Sequence, residues 1–326
     1  MPSLDHLLNA LRAAGESTRL RLLALCAEGE LTVTELTQIL GQSQPRVSRH
    51  LKLLCEAGLL ERYQERTWVF YRIAQPFSGG RLAQTLIGLL PDDDPTLALD
   101  RERLDAVKRK RADRAASYFR ENAGRWDEIR ALYVSEREVE TALEDLLGAQ
   151  PIADLLDVGT GTGRILERLA PRVERGVGLD LSHEMLELAR VRLSSPELRH
   201  CQVRHGDMYN LPFPGASFDV VVFHMVLHFA DNPAAAMAEA ARVLKPGGKL
   251  VLVDFAPHDQ EFLRDDHAHR RLGFAEAEMS AWCESAGLAP GDPVRLPSDP
   301  LTVLLWPAVA PNVESIGRRR SVGRKL

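Results

Sequence analysis

The chain has 326 residues, of which 45% are hydrophobic and 27% charged, with a formal net charge of -5 at pH 7. That length suits about two domains of ordinary size, and the composition is globular, neither disordered nor collagen-like. The acidic total excludes a chain that coats nucleic acid along its whole length. The first 90 residues, however, hold 10 Lys and Arg against 8 Asp and Glu, a mildly basic head before an acidic remainder.

The N-terminus has no basic stretch leading into an apolar one, and no apolar run approaches the roughly 18 residues of a membrane span, so a cytoplasmic protein without membrane contact is expected. Leucines at 4, 7, 8, 11, 20, 22, 23 and 25 keep a helical rhythm broken at Gly15-Glu16, which predicts two helices. Thr32 then caps a helix through Leu40, and Gly41 supplies the left-handed end. The next helix starts near Ser43, a candidate cap, with Pro45 in its first turn and Val47, Leu51 and Leu54 on one face. Helix, short Gly turn and helix make a helix-turn-helix. The outer face of its second helix carries Ser43, Gln44, Arg46, Ser48, Arg49 and Lys52, donors suited to phosphates and base edges. After Gly58, two β-prone runs around a polar tip predict a wing, with Arg62 and Arg66 free to touch the DNA backbone or minor groove.

Residues 17–73, with "SQPRVSRHLKLLCEAGLLERYQERTWVFYRI", closely resemble the ArsR-type winged-helix repressors, a resemblance that implies a homodimer on a double-stranded operator. The metal-sensing members need paired cysteines in the first helix of the helix-turn-helix. This chain has Leu31-Thr32-Val33-Thr34-Glu35-Leu36 there, so no metal is expected. Cys26, Cys55, Cys201 and Cys283 are scattered, without a C-x-x-C pair, and read as free thiols.

Residues 82–90 form a short apolar helix whose expected employment is dimerisation, ended by Pro91-Asp92-Asp93-Asp94-Pro95, a turn or hinge. A long charged helix over 101–119 follows, suited to carrying motion between head and pocket. Tyr118, Phe119 and Trp126 are read first as core and second as a lid over a ligand.

From Ile152 onward short apolar runs alternate with helical ones. The strands close on Val158, Asp180, Arg204, Phe223 and Asp254, with a helix to about Pro171 after the first, a helix over 234–243 before the last, and the last strand over 249–254, the pattern of a buried parallel sheet with helices on both faces. Such sheets bind ligands beyond the carboxyl ends of their strands. The turn Asp157-Val158-Gly159-Thr160-Gly161-Thr162-Gly163 lets backbone approach a ligand closely. A dinucleotide fingerprint would put its third glycine at 164, which is Arg164, so the spacing is G-x-G-x-G. Asp180 is placed to accept two ribose hydroxyls. Asp207 suits an adenine amino group, beside Met208, whose thioether packs on a ring.

"LLDVGTGTGRILERLA", "GVGLD", "HGDMYNLPFPGASFDVVVFHMVLHF" and "AARVLKPGGKLVLVD" resemble, in order, the S-adenosylmethionine-dependent class I methyltransferases. The resemblance assigns Asp157, Gly159 and Gly161 to the methionine end, with Gly163 completing the turn. It gives Asp180, with Leu181 beside it, to the ribose, Asp207 and Met208 to the adenine, and His224 to the pocket floor.

The expected fold is therefore α/β, a winged helix-turn-helix domain (1–76), a helical connector (77–148) and a Rossmann-like methyltransferase domain with a parallel-rich sheet (149–310). A basic tail (311–326) without apolar pattern closes the chain and is suited to touch DNA phosphate. The whole resembles bacterial regulators of methionine-cycle genes that bind S-adenosylmethionine or S-adenosylhomocysteine. Two readings stand, a regulator with this ligand as effector and an active methyltransferase on a small molecule. For the second, His224, His228 and His258 are candidate bases, each also readable as a packed histidine. No N/D-P-P-Y motif of amino-methylating nucleic-acid enzymes is present. Over 257–269 a salt-bridged surface helix is expected, with Glu261, Asp265 and His269 on one face.

Overall fold

The computed structural model describes residues 4–65, 68–74, 79–122 and 135–312. The chain forms two compact units, Met1–Asp113 and Arg114–Leu326. Arg66, Trp126 and the tail from residue 313 lie outside the described residues.

In the first unit α1 (Leu4–Ala14) and α2 (Ser17–Ala27) meet at the expected break, where the Glu16 carboxylate accepts the Arg19 amide hydrogen and caps α2. The two-residue β1 (Leu31–Thr32) leads into α3 (Val33–Leu40). Thr32 and Glu35 form a reciprocal capping box there, and Gly41 ends the helix at φ 64°. Helix α4 (Gln44–Glu56) has Val47, Leu51 and Leu54 fully buried on its inner face. Ser43 stands at its cap position, but its side chain makes no capping bond; Pro45 in the first turn already removes one of the amides a cap would serve. The wing is β2 (Leu60–Glu65) against β3 (Trp68–Ile73), and β1 pairs with β3, giving the order β1-β3-β2. Tyr63 stacks on Phe70 at 5.4 Å, and Arg72 lies 5.0 Å over the Tyr63 ring.

After α5 (Gly80–Ile87), α6 (Pro95–Asn122) extends past the expected 101–119 at both ends. The supposed hinge supplies its start, since the Asp94 carboxylate accepts the Thr96 and Leu97 amide hydrogens. Three side chains of α6 hold the head. Asp100, 2% exposed, takes a bidentate grip from Arg21 at 2.5 and 2.7 Å, Arg103 donates to the Ile39 carbonyl, and Arg111 donates to Glu35 of the capping box.

The second unit has α7 (Glu136–Leu147), β4 (Ile152–Val158), α8 (Arg164–Leu169), β5 (Val173–Asp180), α9 (His183–Arg192), β6 (Cys201–His205) and β7 (Phe218–His224). It continues with α10 (Pro233–Val243), β8 (Leu244–Phe255), α11 (Phe262–Asp266), α12 (Glu276–Ser285), β9 (Ala289–Pro290), β10 (Val294–Leu296) and β11 (Val303–Val309). Among the described residues the sheet runs β10-β11-β8-β7-β4-β5-β6, with β9 also on β11. The strands β6, β5, β4, β7 and β8 are parallel, and β9 to β11 are antiparallel. Successive strand residues feed opposite cores. Leu156, Val221, Phe223, Leu250 and Leu252 face one, while Leu155, Val220, Val222, Val251 and Val253 face the other. Both faces are therefore covered, as uninterrupted apolar strands require.

The structure departs from expectation in three places. Helix α8 stops at Leu169 and tightens into a 3-10 turn over Ala170–Arg172, because Pro171 has no amide hydrogen to continue it. The strand expected over 249–254 begins at Leu244 and carries a register shift opposite Phe218 and Val220. Over 257–269 only α11 is helical, so Glu261, Asp265 and His269 do not share a helix face. Ala268 is left-handed at φ 56°, which breaks the helix, and His269 turns inward to stack on His228.

Thr32→Ala removes one half of the capping box, so equilibrium denaturation should show the head destabilised by about 1 kcal/mol. An unchanged midpoint would mean that Glu35 and Arg111 hold the helix start without the hydroxyl.

Candidate functional site

The parallel strands end at one edge, and the glycine turn sits there. Asp157, the penultimate residue of β4, is 1% exposed, and its Oδ2 accepts the Thr160 hydroxyl at 2.6 Å. The turn is stitched to β5. Gly159 and Thr160 donate their amides to the Leu179 carbonyl at 2.7 and 3.0 Å, and Gly161 donates to Asp180 Oδ2 at 2.8 Å. Gly159 has φ 73°, and a Cβ there would lie 2.3 Å from Val226 Cγ2, so a larger residue is excluded both by conformation and by space. Gly161 and Gly163 are left-handed as well.

Asp180 ends β5 with Oδ1 accepting the Ser182 amide hydrogen. Burial pushes its carboxyl above the ordinary aspartate range, against the opposing pull of the Ser182 and Gly161 amides. The Leu181 amide pulls on the carboxylate as well, and with two lone pairs on each oxygen capacity for a further donor remains. Leu181 beside it is 56% exposed. Asp207 follows β6, exposed, in a local turn with the Tyr209 amide on its Oδ1, and Met208 packs partly against the core. His224 ends β7, buried, paired in register with Val253 of β8. The expected pocket residues thus come together along the ends of β4 to β7.

Tyr118 and Phe119, from the last turns of α6, pack with Met185 and Phe229. The Tyr118 hydroxyl is 2.7 Å from His267 Nδ1, and Phe119 meets Phe229 edge-on at 4.8 Å.

Sequence reasoning named His228 without its partner. His228 Nδ1 lies 2.8 Å from Asp254 Oδ1, and both residues are buried, at 3% and 0% exposure. The acid's two oxygens also take the Phe255 and His228 amides. An acid closing Leu250-Val251-Leu252-Val253 is the same signal that marked Asp157 and Asp180, and it was available. His258, a further candidate base, accepts the Gln260 amide on Nδ1, and burial pushes its imidazole down to about 4.

In the head, Ser43, Gln44, Arg46, Arg49 and Lys52 are exposed on α4, Ser48 is half-buried, and Arg62 is exposed on β2. Lys52 has only a loose contact to Glu56 at 3.8 Å, of little energetic weight at such exposure. The predicted face therefore faces water. Among the described residues no group of three or more His, Cys, Asp or Glu is arranged to hold a metal ion. The four cysteines are free thiols, and burial pushes Cys55 and Cys283 up to about 11. No described helix is long and apolar enough to cross a membrane.

Residues 16–62 match the family model of the bacterial regulatory proteins of the arsR family, and residues 156–252 that of a methyltransferase domain. The chain joins an ArsR-family helix-turn-helix to a methyltransferase domain. Among curated proteins, the demethylmenaquinone methyltransferase of Tropheryma whipplei is 36% identical over 118 residues, covering 36% of this chain and 48% of that protein. The uncharacterized methyltransferase YcgJ of Bacillus subtilis is 32% identical over 137 residues, covering 39% and 53%. The chain thus spans about half the length of these relatives. Among solved structures, the N-methyltransferase NodS of Bradyrhizobium japonicum, crystallised with S-adenosylhomocysteine, has a TM-score of 0.51 at 22% identity, over 61% of this chain and 99% of that one. The second unit has the fold of the S-adenosylmethionine-dependent methyltransferases.

His258 is neutral in the fold and protonates near its ordinary value of about 6.5 when unfolded. The folded chain then binds fewer protons between about pH 6.5 and about 4, so this residue's contribution is present above that window and lost as pH falls through it. Thermal unfolding of His258→Asn should decline less steeply than wild type across that range. Parallel curves would show that His258 titrates normally in the folded state.

Proposed function

We propose that the chain is a DNA-binding transcriptional regulator whose methyltransferase domain binds S-adenosylmethionine or S-adenosylhomocysteine as effector. The observation that carries this reading is Asp180 at the end of β5, whose carboxylate holds the Gly161 amide while keeping lone-pair capacity for a ribose hydroxyl, in a chain that also presents Arg46, Arg49 and Lys52 to solvent. In this reading Asp157, Gly159, Gly161 and Gly163 hold the amino-acid end of the ligand. Asp180 and Leu181 meet the ribose, Asp207 and Met208 the adenine, and His224 the floor near the sulfur. The division into head (1–76), connector (77–148), ligand domain (149–310) and basic tail (311–326) belongs to the same proposal.

Two copies acting as a homodimer on a two-fold operator fit the first unit. Leu4, Leu7, Leu8 and Leu11 of α1 are exposed by 71, 40, 40 and 41%, as is Leu89 after α5, by 75%. An effector changes operator affinity only as far as it binds the two states differently. Helix α6 is the proposed carrier, with Arg21 and Glu35 holding it at Asp100 and Arg111 and Met185 and Phe229 meeting its last turns.

Calorimetry with each sulfur ligand, repeated with operator DNA, tests the reading. Asp180→Ala should lose ligand binding and bind DNA without response; a normal response would sink the assignment. Arg46→Ala and Arg49→Ala should each weaken operator binding by about 1–3 kcal/mol where they read bases. The wild-type footprint should show two half-sites. Equal loss on every sequence would assign both arginines to phosphate.

The second reading, methyl transfer to a small molecule with an autoregulatory head, is favoured by the buried His228–Asp254 pair beside the glycine turn.

A further inference from the structure

The carboxyl edge of β7 and β8 carries machinery that ligand sensing does not use. Val226 abuts the glycine turn at Gly159, and two residues on His228 begins a cluster of rings. The His228 ring lies 4.1 Å from Phe229 and 5.5 Å from Phe255, with His269 stacked on it at 4.0 Å. Phe255 meets His258 at 5.6 Å. Phe229 in turn touches Phe119, which packs with Met185 of α9, the helix that follows Asp180. The cluster therefore borders the proposed ligand site.

Its polar atoms are arranged asymmetrically. Asp254 accepts the Nδ1 hydrogen of His228, and its other hydrogen bonds come from backbone amides that lock the carboxylate in place. A carboxylate on Nδ1 sets the tautomer, leaving Nε2 with a lone pair. His258 Nε2 and His269 Nδ1 are buried without a hydrogen-bond partner among the described residues. Burial holds both imidazoles neutral at pH 7. Such orphaned buried nitrogens are costly unless a ligand or water meets them. Neutral imidazoles among phenylalanine rings suit a flat, uncharged ring bearing hydroxyl groups. The nearby Arg264 guanidinium is engaged by the Arg270 carbonyl and Glu261, so it does not mark the site for an acid.

We propose that His228, oriented by Asp254, is the general base for methyl transfer to a hydroxylated aromatic acceptor, with His258 and His269 hydrogen-bonding its second hydroxyl. The acceptor O–H bond breaks and its proton passes to Nε2. The oxygen's electron pair forms the new O–CH3 bond while the C–S bond breaks with its pair onto sulfur. The sulfonium's positive charge is thereby carried by the imidazolium, which returns its proton to water. Asp254 is a positioning residue. This inference rests on the reading that the domain binds S-adenosylmethionine.

The test uses the full chain with catechol as probe. In the absence of sulfur ligand, nitrogen-15 NMR of labelled histidine should show His228 protonated on Nδ1 and bare on Nε2, and catechol should shift the resonances of His228, His258 and His269. With methyl-labelled S-adenosylmethionine, label should appear in the monomethyl ether. His228→Gln should lower turnover at least about 100-fold with S-adenosylhomocysteine affinity unchanged by calorimetry. Asp254→Asn should lower kcat with S-adenosylhomocysteine affinity unchanged, and His228 should lose its preference for the Nδ1–H tautomer in the nitrogen-15 spectrum, since the carboxylate that sets it is gone. An Nε2–H tautomer, the absence of any catechol-induced shift, or full activity in His228→Gln would overturn the proposal. Binding of S-adenosylhomocysteine without labelled ether would overturn it and leave the effector reading standing; loss of that binding as well would remove both.

Discussion

The second unit depends on three hydrogen bonds that fasten the loop after β4 to the end of β5. Gly159, Thr160 and Gly161 donate in succession to the Leu179 carbonyl and the Asp180 carboxylate. Gly159 and Gly161 sit at positive φ, and position 159 is open only to a residue without a Cβ, because Val226 fills that space. Asp180 thus has a structural duty apart from the recognition proposed for it. Its carboxylate shapes the turn without a ligand, and a turn shaped in advance lowers the cost of any binding there.

A comparable constraint governs the head. Glu35 closes the capping box of α3 and receives Arg111 of α6, while Asp100 and Arg21 form a buried bidentate pair. Burying such a pair costs desolvation, so its contribution lies less in net stability than in specifying one docking of α6 against the helix-turn-helix. The outer side of α4 makes few such contacts and is left to water, as a surface that reads duplex must be.

The two candidate activities of the second unit draw on different parts of one sheet edge. Ends of β4, β5 and β6 present glycines and acids, the groups proposed to hold a polar ligand by its hydroxyls and amino groups. Ends of β7 and β8 present histidines and phenylalanines, with one acid committed to a histidine. The first set alone would suffice for the proposed sensor. The second adds the proposed base, and the inward turn at Ala268 brings His269 onto it.

Much of this was legible in the chain. The helix-turn-helix, the wing, the parallel strands, the glycine turn and Asp157, Asp180 and Asp207 follow from local patterns, because helical and strand periodicities, caps and positive-φ glycines are properties of a few neighbouring residues. The fate of Ser43, the short α11 and the antiparallel β9 to β11 were not legible. The last of these was signalled only by the apolar run Val303-Leu304-Leu305-Trp306, which a buried helix would show equally. What the tertiary structure alone decided is who meets whom across the sequence. His228 found Asp254 because β7 and β8 lie side by side and end together, and Arg21 found Asp100 through helix packing. Adjacency of this kind is set by burial of the whole sheet and core, a nonlocal condition that no window of sequence contains.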